Sequence, residues 1–165
     1  MERLNIRNLL KPKSKDDINK NLLVLSQRGK NKMLRYASKH GYTDQVKFLL
    51  DNGAYVHSCE DEALRNDSHN GHTEVVKLLL DAGANVHACD DSAVRCASDY
   101  GYTEVIRLLI NAGADIHVGD DNALMRAHMY NHTDTINLLL SAGANTDRLN
   151  RDLIRMNKEP LKVSI

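Results

Sequence analysis

Between Thr73 and Asp81 the chain reads TEVVKLLLD, apolar at 75, 76, 78, 79 and 80 and polar at 73, 74, 77 and 81. Positions 75, 76 and 79 fall on one side of a helix, with 78 and 80 widening the stripe. The same pattern stands thirty residues earlier as TDQVKFLLD, thirty later as TEVIRLLIN, and once more as TDTINLLLS at 133–141. Cut at thirty-residue intervals from Asn31, the chain falls into four blocks without a gap: 31–60, 61–90, 91–120 and 121–150. Gly41, Gly71, Gly101 and Asn131 share one position, and Thr43, Thr73, Thr103 and Thr133 another. Gly53-Ala54, Gly83-Ala84, Gly113-Ala114 and Gly143-Ala144 close each second apolar stretch. Fourfold agreement of this kind marks an array of repeats.

Each block predicts two short helices. In the third, Asp91 or Ser92 is expected to cap a first helix running through AVRCASDY, and Gly101 to stop it. Thr103-Glu104 then opens a second helix, with acid where the helix dipole favours it. Val105, Ile106, Leu108, Leu109 and Ile110 supply its apolar face. Gly113 ends that helix, and a short extended finger, ADIHVGD, is expected to lead to the next block. Isolated helices shorter than ~12–15 residues are marginal, so the blocks must stack to bury these faces. Equal spacing follows, because every block has to present the same face to its neighbour.

With GHTEVVKLLLDAGANVH at 71–87, the array resembles the ankyrin-repeat family over residues 31–150. The resemblance implies an all-α solenoid of helix-turn-helix units with short fingers and atypical helical caps at both ends. Two features depart from the family pattern. At the start of the first helix KMLR, EALR, SAVR and NALM replace the usual T-P-L-H, and the period is thirty rather than about 33 residues. The missing residues are expected in the finger turn. Phrases such as DEALR and GANVHACDD narrow the resemblance to the shortened repeats of amoeba-infecting giant viruses.

Array ends must shield the core, so caps are expected on either side. We read 1–15 as a basic tail and 16–30 as an N-terminal helical cap, started by Asp16 and Asp17, with Ile18, Leu22, Leu23 and Leu25 over the first block. Residues 151–165 read as a C-terminal cap or partial repeat, with Leu153 and Ile154 at its apolar positions and Pro160 ending it.

Net charge is zero but unevenly spread. Residues 1–35 carry ten Lys/Arg against three Asp/Glu, and residues 36–147 carry seven against seventeen. The basic head allows nucleic acid or a nucleoprotein as an alternative partner. Aromatic residues make up only 4% of the chain, so aliphatic packing must carry the core. No apolar run nears the ~18 residues of a membrane span, and the first residues do not read as a secretory leader. An intracellular, cytoplasmic setting is expected, in a host cell if the chain is viral, with Cys59, Cys89 and Cys96 as reduced thiols. No phosphate-binding glycine loop, HExxH or nucleophile elbow occurs, so neither catalysis nor a cofactor is expected.

The family resemblance implies a protein-binding, adaptor or scaffold role, with contacts made by the ends of the first helices and by the fingers. Carried onto this sequence, the candidates are Lys39, His40, His69, Asn70, Asp99, Tyr100, Met129 and Tyr130, with Glu60, Asp90 and Asp120 in the fingers. The later blocks present tyrosine and methionine, which interface hot spots favour. In the acidic pairs Asp61-Glu62, Asp90-Asp91 and Asp120-Asp121 one member is expected to cap a helix, and the other to be either a solvated turn residue or part of a stripe that steers a basic partner. Arg35, Arg65 and Arg95 are expected to bond finger carbonyls and adjacent acids.

His57, His87 and His117, with Cys59 and Cys89 two residues on, invite a zinc reading. Stacked helices ~8–10 Å apart do not easily bring four ligands within ~2.0–2.3 Å of one ion, and local backbone bonds are the expected use. The turn residues His72 and His132 read as hydrogen-bonders between repeats. Asp67 replaces a small Ala, and Arg35 or Arg95 is expected to satisfy it.

Overall fold

The computed structural model describes residues 15–156 and 158–161. The tail expected at 1–15 lies outside them but for Lys15, as do the side chains of Asp16 and Ile18. Among the described residues there are ten helices and no strand. They are α1 (Lys15–Leu23), α2 (Gln27–Lys39), α3 (Thr43–Asp51), α4 (Ser58–Asn70), α5 (Thr73–Asp81), α6 (Ala88–Tyr100), α7 (Thr103–Asn111), α8 (Val118–Met129), α9 (Thr133–Ser141) and α10 (Asp147–Arg155). Helices α2, α4, α6, α8 and α10 stack in one row, and α1, α3, α5, α7 and α9 in a second row against it. The chain is an all-α repeat solenoid.

One core runs the length of the stack, formed by the same positions of every unit. In the first row Leu34, Leu64, Val94 and Leu124 are buried; in the second, Leu49, Leu79, Leu109 and Leu139. Each such side chain gains roughly 1.5–3 kcal/mol from burial, and none could be buried within a single unit. At the leading end α1 packs on α3 with Leu22 buried and Leu25 half-buried, while Leu23 faces solvent. At the trailing end α10 lies on α8 through Leu149 and Leu153. Ile154, expected to pair with Leu153, is exposed instead, because consecutive residues point 100° apart on a helix.

The Gly-Ala pairs are helix stops. Gly53, Gly83, Gly113 and Gly143 take positive φ, and the following alanine N–H donates to the carbonyl five residues back, as in Ala84 to Leu79 at 2.9 Å. The turns between paired helices use the same stop with a second demand. A Cβ on Gly41 would meet the His72 ring at 2.8 Å, one on Gly71 the Tyr102 ring at 2.6 Å, and one on Gly101 the His132 ring at 2.5 Å. Each glycine is therefore the seat of a ring from the next unit. In the last full unit Asn131 takes the position at φ 59°, where no further turn ring follows among the described residues.

The fingers differ from expectation. They are not extended: Cys59-Glu60-Asp61, Cys89-Asp90-Asp91 and Gly119-Asp120-Asp121 each make three consecutive left-handed residues, with φ between 49° and 66°. Left-handed backbone costs an L-residue roughly 1–2 kcal/mol, so outside contacts must hold these turns. Nor do Asp91 or Ser92 cap the helix that follows: Asp91 accepts from His87 and from the Asp115 N–H, and Ser92 Oγ donates back to the Ala88 carbonyl at 3.5 Å. The threonines likewise bond backwards, Thr103 Oγ donating to the Gly101 carbonyl at 3.3 Å.

Two glycines at positive φ should separate strain from wedging. Gly83 has nothing near its missing Cβ, so Gly83→Ala should lose only about 1 kcal/mol. Gly101→Ala should lose about 2–4 kcal/mol, because it also expels the His132 ring. Urea unfolding of both variants measures the gap; equal losses would show that the ring seat contributes nothing.

Candidate protein-binding face

Along the finger edge, one polar relay repeats. His57 Nδ1–H donates to Asp61 at 3.1 Å, His87 to Asp91 at 3.1 Å, and His117 to Asp121 at 2.9 Å. Each of these buried aspartates then accepts the backbone N–H of Asn85, Asp115 or Asn145 at 2.9 Å, 24 residues on. The first unit makes the same bond from the Tyr55 N–H to Asn31 Oδ1 at 2.8 Å. The histidines thus bond carboxylates rather than the expected local backbone. Asp61, Asp91 and Asp121 therefore do not cap their own helices: they clamp each left-handed turn to the finger of the next unit, while Asp90 and Asp120 beside them are exposed.

Arginines complete the turns. Arg65 donates to the carbonyls of Glu60 (3.2 Å) and Cys59 (3.3 Å), and Arg95 to that of Cys89 (3.3 Å). Arg35, whose unit has no such turn before it, reaches Ser58 Oγ at 2.7 Å and Glu62 at 2.8 Å. The fourth unit has Met125 at that position, and there Arg148 of α10 donates to the Gly119 carbonyl. Glu60, Asp90 and Asp120 are exposed on this edge, with Cys59 and Cys89 beside them. The Cys89 thiol donates to Glu60 at 3.2 Å, a bond that pushes its pKa up.

The opposite edge carries the helix–helix turns and the other candidates. Lys39 and His40 are exposed. His69 is exposed too, its ring meeting the Tyr100 ring edge-on at 4.7 Å. Tyr100 also stacks on Tyr102 at 5.8 Å and still keeps 48% of its surface open. Met129 and Tyr130 are more open still, at 61% and 54%. Asn70 and Asp99 have their polar groups engaged within the chain. Asn70 donates to the Asn66 carbonyl at 2.6 Å, and both Asp99 oxygens accept from Arg126 at 2.7 Å. Asp99 is thus half of a cross-unit ion pair. Arg126 was given no role in the sequence, nor was the exposed Tyr55. Tyr55 was findable, because it stands where the later units have Asn85, Asp115 and Asn145.

A family model for ankyrin repeats (3 copies) matches residues 63–150. The chain belongs to the ankyrin-repeat family. No curated protein matches it significantly. Ankyrin repeats are protein–protein interaction modules, and this ankyrin-repeat protein shows no helix long and apolar enough to cross a membrane among its described residues. Among the same residues no three His, Cys, Asp or Glu side chains converge as a metal site, and all three cysteines are free thiols.

One polar residue of the array is out of place. Asp67 sits fully buried between α2 and α4 where the other units have Ala37, Ala97 and Ala127. Neither Arg35 nor Arg95 reaches it, since both are held at the fingers. His72 takes the role instead, its Nδ1–H shared between Asp67 Oδ1 at 3.0 Å and the Ser38 carbonyl at 3.1 Å. Asp67 Oδ2 and the hydroxyls of Ser38 and Ser68 are buried without hydrogen-bond partners. Burial pushes the Asp67 carboxyl up to about 7, against the opposing pull of His72 and of the nearby Ser38 hydroxyl.

The folded chain therefore holds a proton that the unfolded chain releases near 3.8, and the Asp67 contribution to stability falls as pH rises from there to about 7. Asp67→Ala should stabilise the array by about 1–3 kcal/mol near pH ~8, with the gain shrinking towards pH ~5. Urea titrations at both pH values check this; a loss of stability at the higher pH would mean that the ionised carboxylate is well satisfied.

Proposed function

We propose that this ankyrin-repeat protein is a non-enzymatic adaptor or scaffold whose partner lands on the last two full units. The supporting observation is the open patch of Tyr100, Met129 and Tyr130. Tyrosine and methionine left exposed on a rigid stack can bury much area with little ordering, and aromatic residues dominate the energetics of interfaces. Lys39, His40 and His69 at the corresponding places of the first two units are polar, so the patch has a direction along the array. Glu60, Asp90 and Asp120 form the rim of the same partner surface. The thirty-residue period and the arginines in place of the helix-start histidine support a viral origin, with host-cell proteins as the targets.

The test is a pull-down from cell lysate with the full chain and a Tyr100→Ala/Tyr130→Ala variant, followed by mass spectrometry. The variant should fold, since both side chains are about half exposed, and its main captured proteins should drop about tenfold or more. An unchanged set of partners would remove the patch from the reading, and no specific partner at all would remove the adaptor role.

A further inference from the structure

Three seams join the four full units, and each seats a ring of the later unit on a glycine of the earlier one: His72 on Gly41, Tyr102 on Gly71 and His132 on Gly101. Beside the rings the seams differ. At the third, Ala127 fills the inward place, and polar bonds cross from unit to unit: Arg126 to Asp99, Thr103 to Thr135 at 2.9 Å, and His132 Nε2–H to the Asp99 carbonyl at 2.9 Å. At the second, Ala97 fills the same place. Only the first seam has a carboxyl there, that of Asp67, and it is 0% exposed.

This carboxyl has little around it to hold a charge. One oxygen accepts the His72 Nδ1–H at 3.0 Å, and that donor is shared with the Ser38 carbonyl at 3.1 Å. The other oxygen has no partner, and neither has the buried Ser38 hydroxyl across the seam. The helices packed on α4 are α2, α5 and α6. From α2 come Ser38 and Arg35, the latter held on Ser58 and Glu62. The start of α5 brings His72. From α6 come Arg95, held on the Cys89 carbonyl, and Ser98, whose hydroxyl donates to the Val94 carbonyl. Among the described residues His72 is thus the one titratable group that acts on Asp67 by its charge.

A neutral carboxyl fits such a place, whereas an ionised one is a buried charge that only water can relieve. Stability in a stacked array is roughly a sum of unit and nearest-neighbour contributions. The first seam lies one unit from the leading end, so parting it sacrifices a single interface and leaves the second to fourth units stacked.

We propose that the seam between the first and second units is a pH-operated joint: ionisation of Asp67 parts α1–α3 transiently from α4 and α5 while the rest of the array stays closed. The sign follows from burial. The carboxyl is pushed up to about 7 in the closed seam and returns to 3.8 where water reaches it, so opening releases a proton between these values. Opening therefore becomes more frequent as pH rises through that window and levels off above it.

Hydrogen exchange of the full chain, read by mass spectrometry and corrected for the intrinsic effect of pH on exchange, tests the joint. Between pH ~6 and ~8, protection of α2 and α3 should fall about tenfold relative to that of α7 and α9. Asp67→Asn, which keeps the shape without the charge, should abolish this difference, and so should Asp67→Ala, which restores the residue of the other units. An equal fall along the whole array would make the effect global and overturn the joint, as would no fall at all. A fall confined to α2 and α3 that survives both substitutions would assign the opening to another group, His72 included, and overturn the role of Asp67.

Discussion

A pair of nine- to thirteen-residue helices has too little interior to hide its own leucines, and everything else in this chain follows from that constraint. Val76, Leu79 and Leu64 of the second unit are each 0–1% exposed only because neighbouring units close over them. The solenoid is one continuous aliphatic interior cut into equal lengths. Its period is fixed because every length must fit the one before and the one after. The nearly absent large aromatic core residues fit the same picture: a thin interior between two helix rows takes Leu, Val, Ile and Ala more easily than Phe or Trp.

Stacking of apolar faces alone would leave the units free to slide, and the polar relays prevent it. Asp61, Asp91 and Asp121 each tie a left-handed turn to a backbone N–H one finger further on, and each is oriented by a histidine four residues before it. Three successive left-handed residues would not persist on their own energies. They are held because the carboxylate, the histidine and an arginine donating to the turn carbonyls act together. On the other edge, rings seated on glycines do the same service with shape rather than charge. The two edges thereby receive different surfaces, acid and thiol on one, rings and acid on the other.

The architecture was legible because its signals repeat. Four copies of Gly-Ala and of an apolar stripe place the second helices and their stops directly. The expected bonds of His72 and His132 between repeats are present, to the carbonyls of Ser38 and Asp99. What the sequence hid was partner choice. Nothing local distinguishes an aspartate that caps its own helix from one that clamps the next finger, since both need a short carboxylate at a helix start. The left-handed turns were masked for a similar reason: only Gly119 hints at positive φ, while Cys59 and Cys89 at the same place give no warning. Asp67 drew attention as an exception to the pattern, yet its partner proved to be the nearby turn histidine, because the arginines were already committed to the finger carbonyls. Of the proposed contact residues, Tyr100, Met129 and Tyr130 are open, whereas Asp99 is occupied by an arginine on the next unit that single-position reading could not see.

Circular dichroism of a synthetic 91–120 peptide beside the full chain puts the central claim to its most direct test. With its neighbours gone, the peptide should be largely unfolded and should show no cooperative melt, while the full chain unfolds in a cooperative transition. A peptide that holds the helical content of its unit and melts cooperatively would mean that each unit carries its own stability, and the dependence on stacking would be wrong.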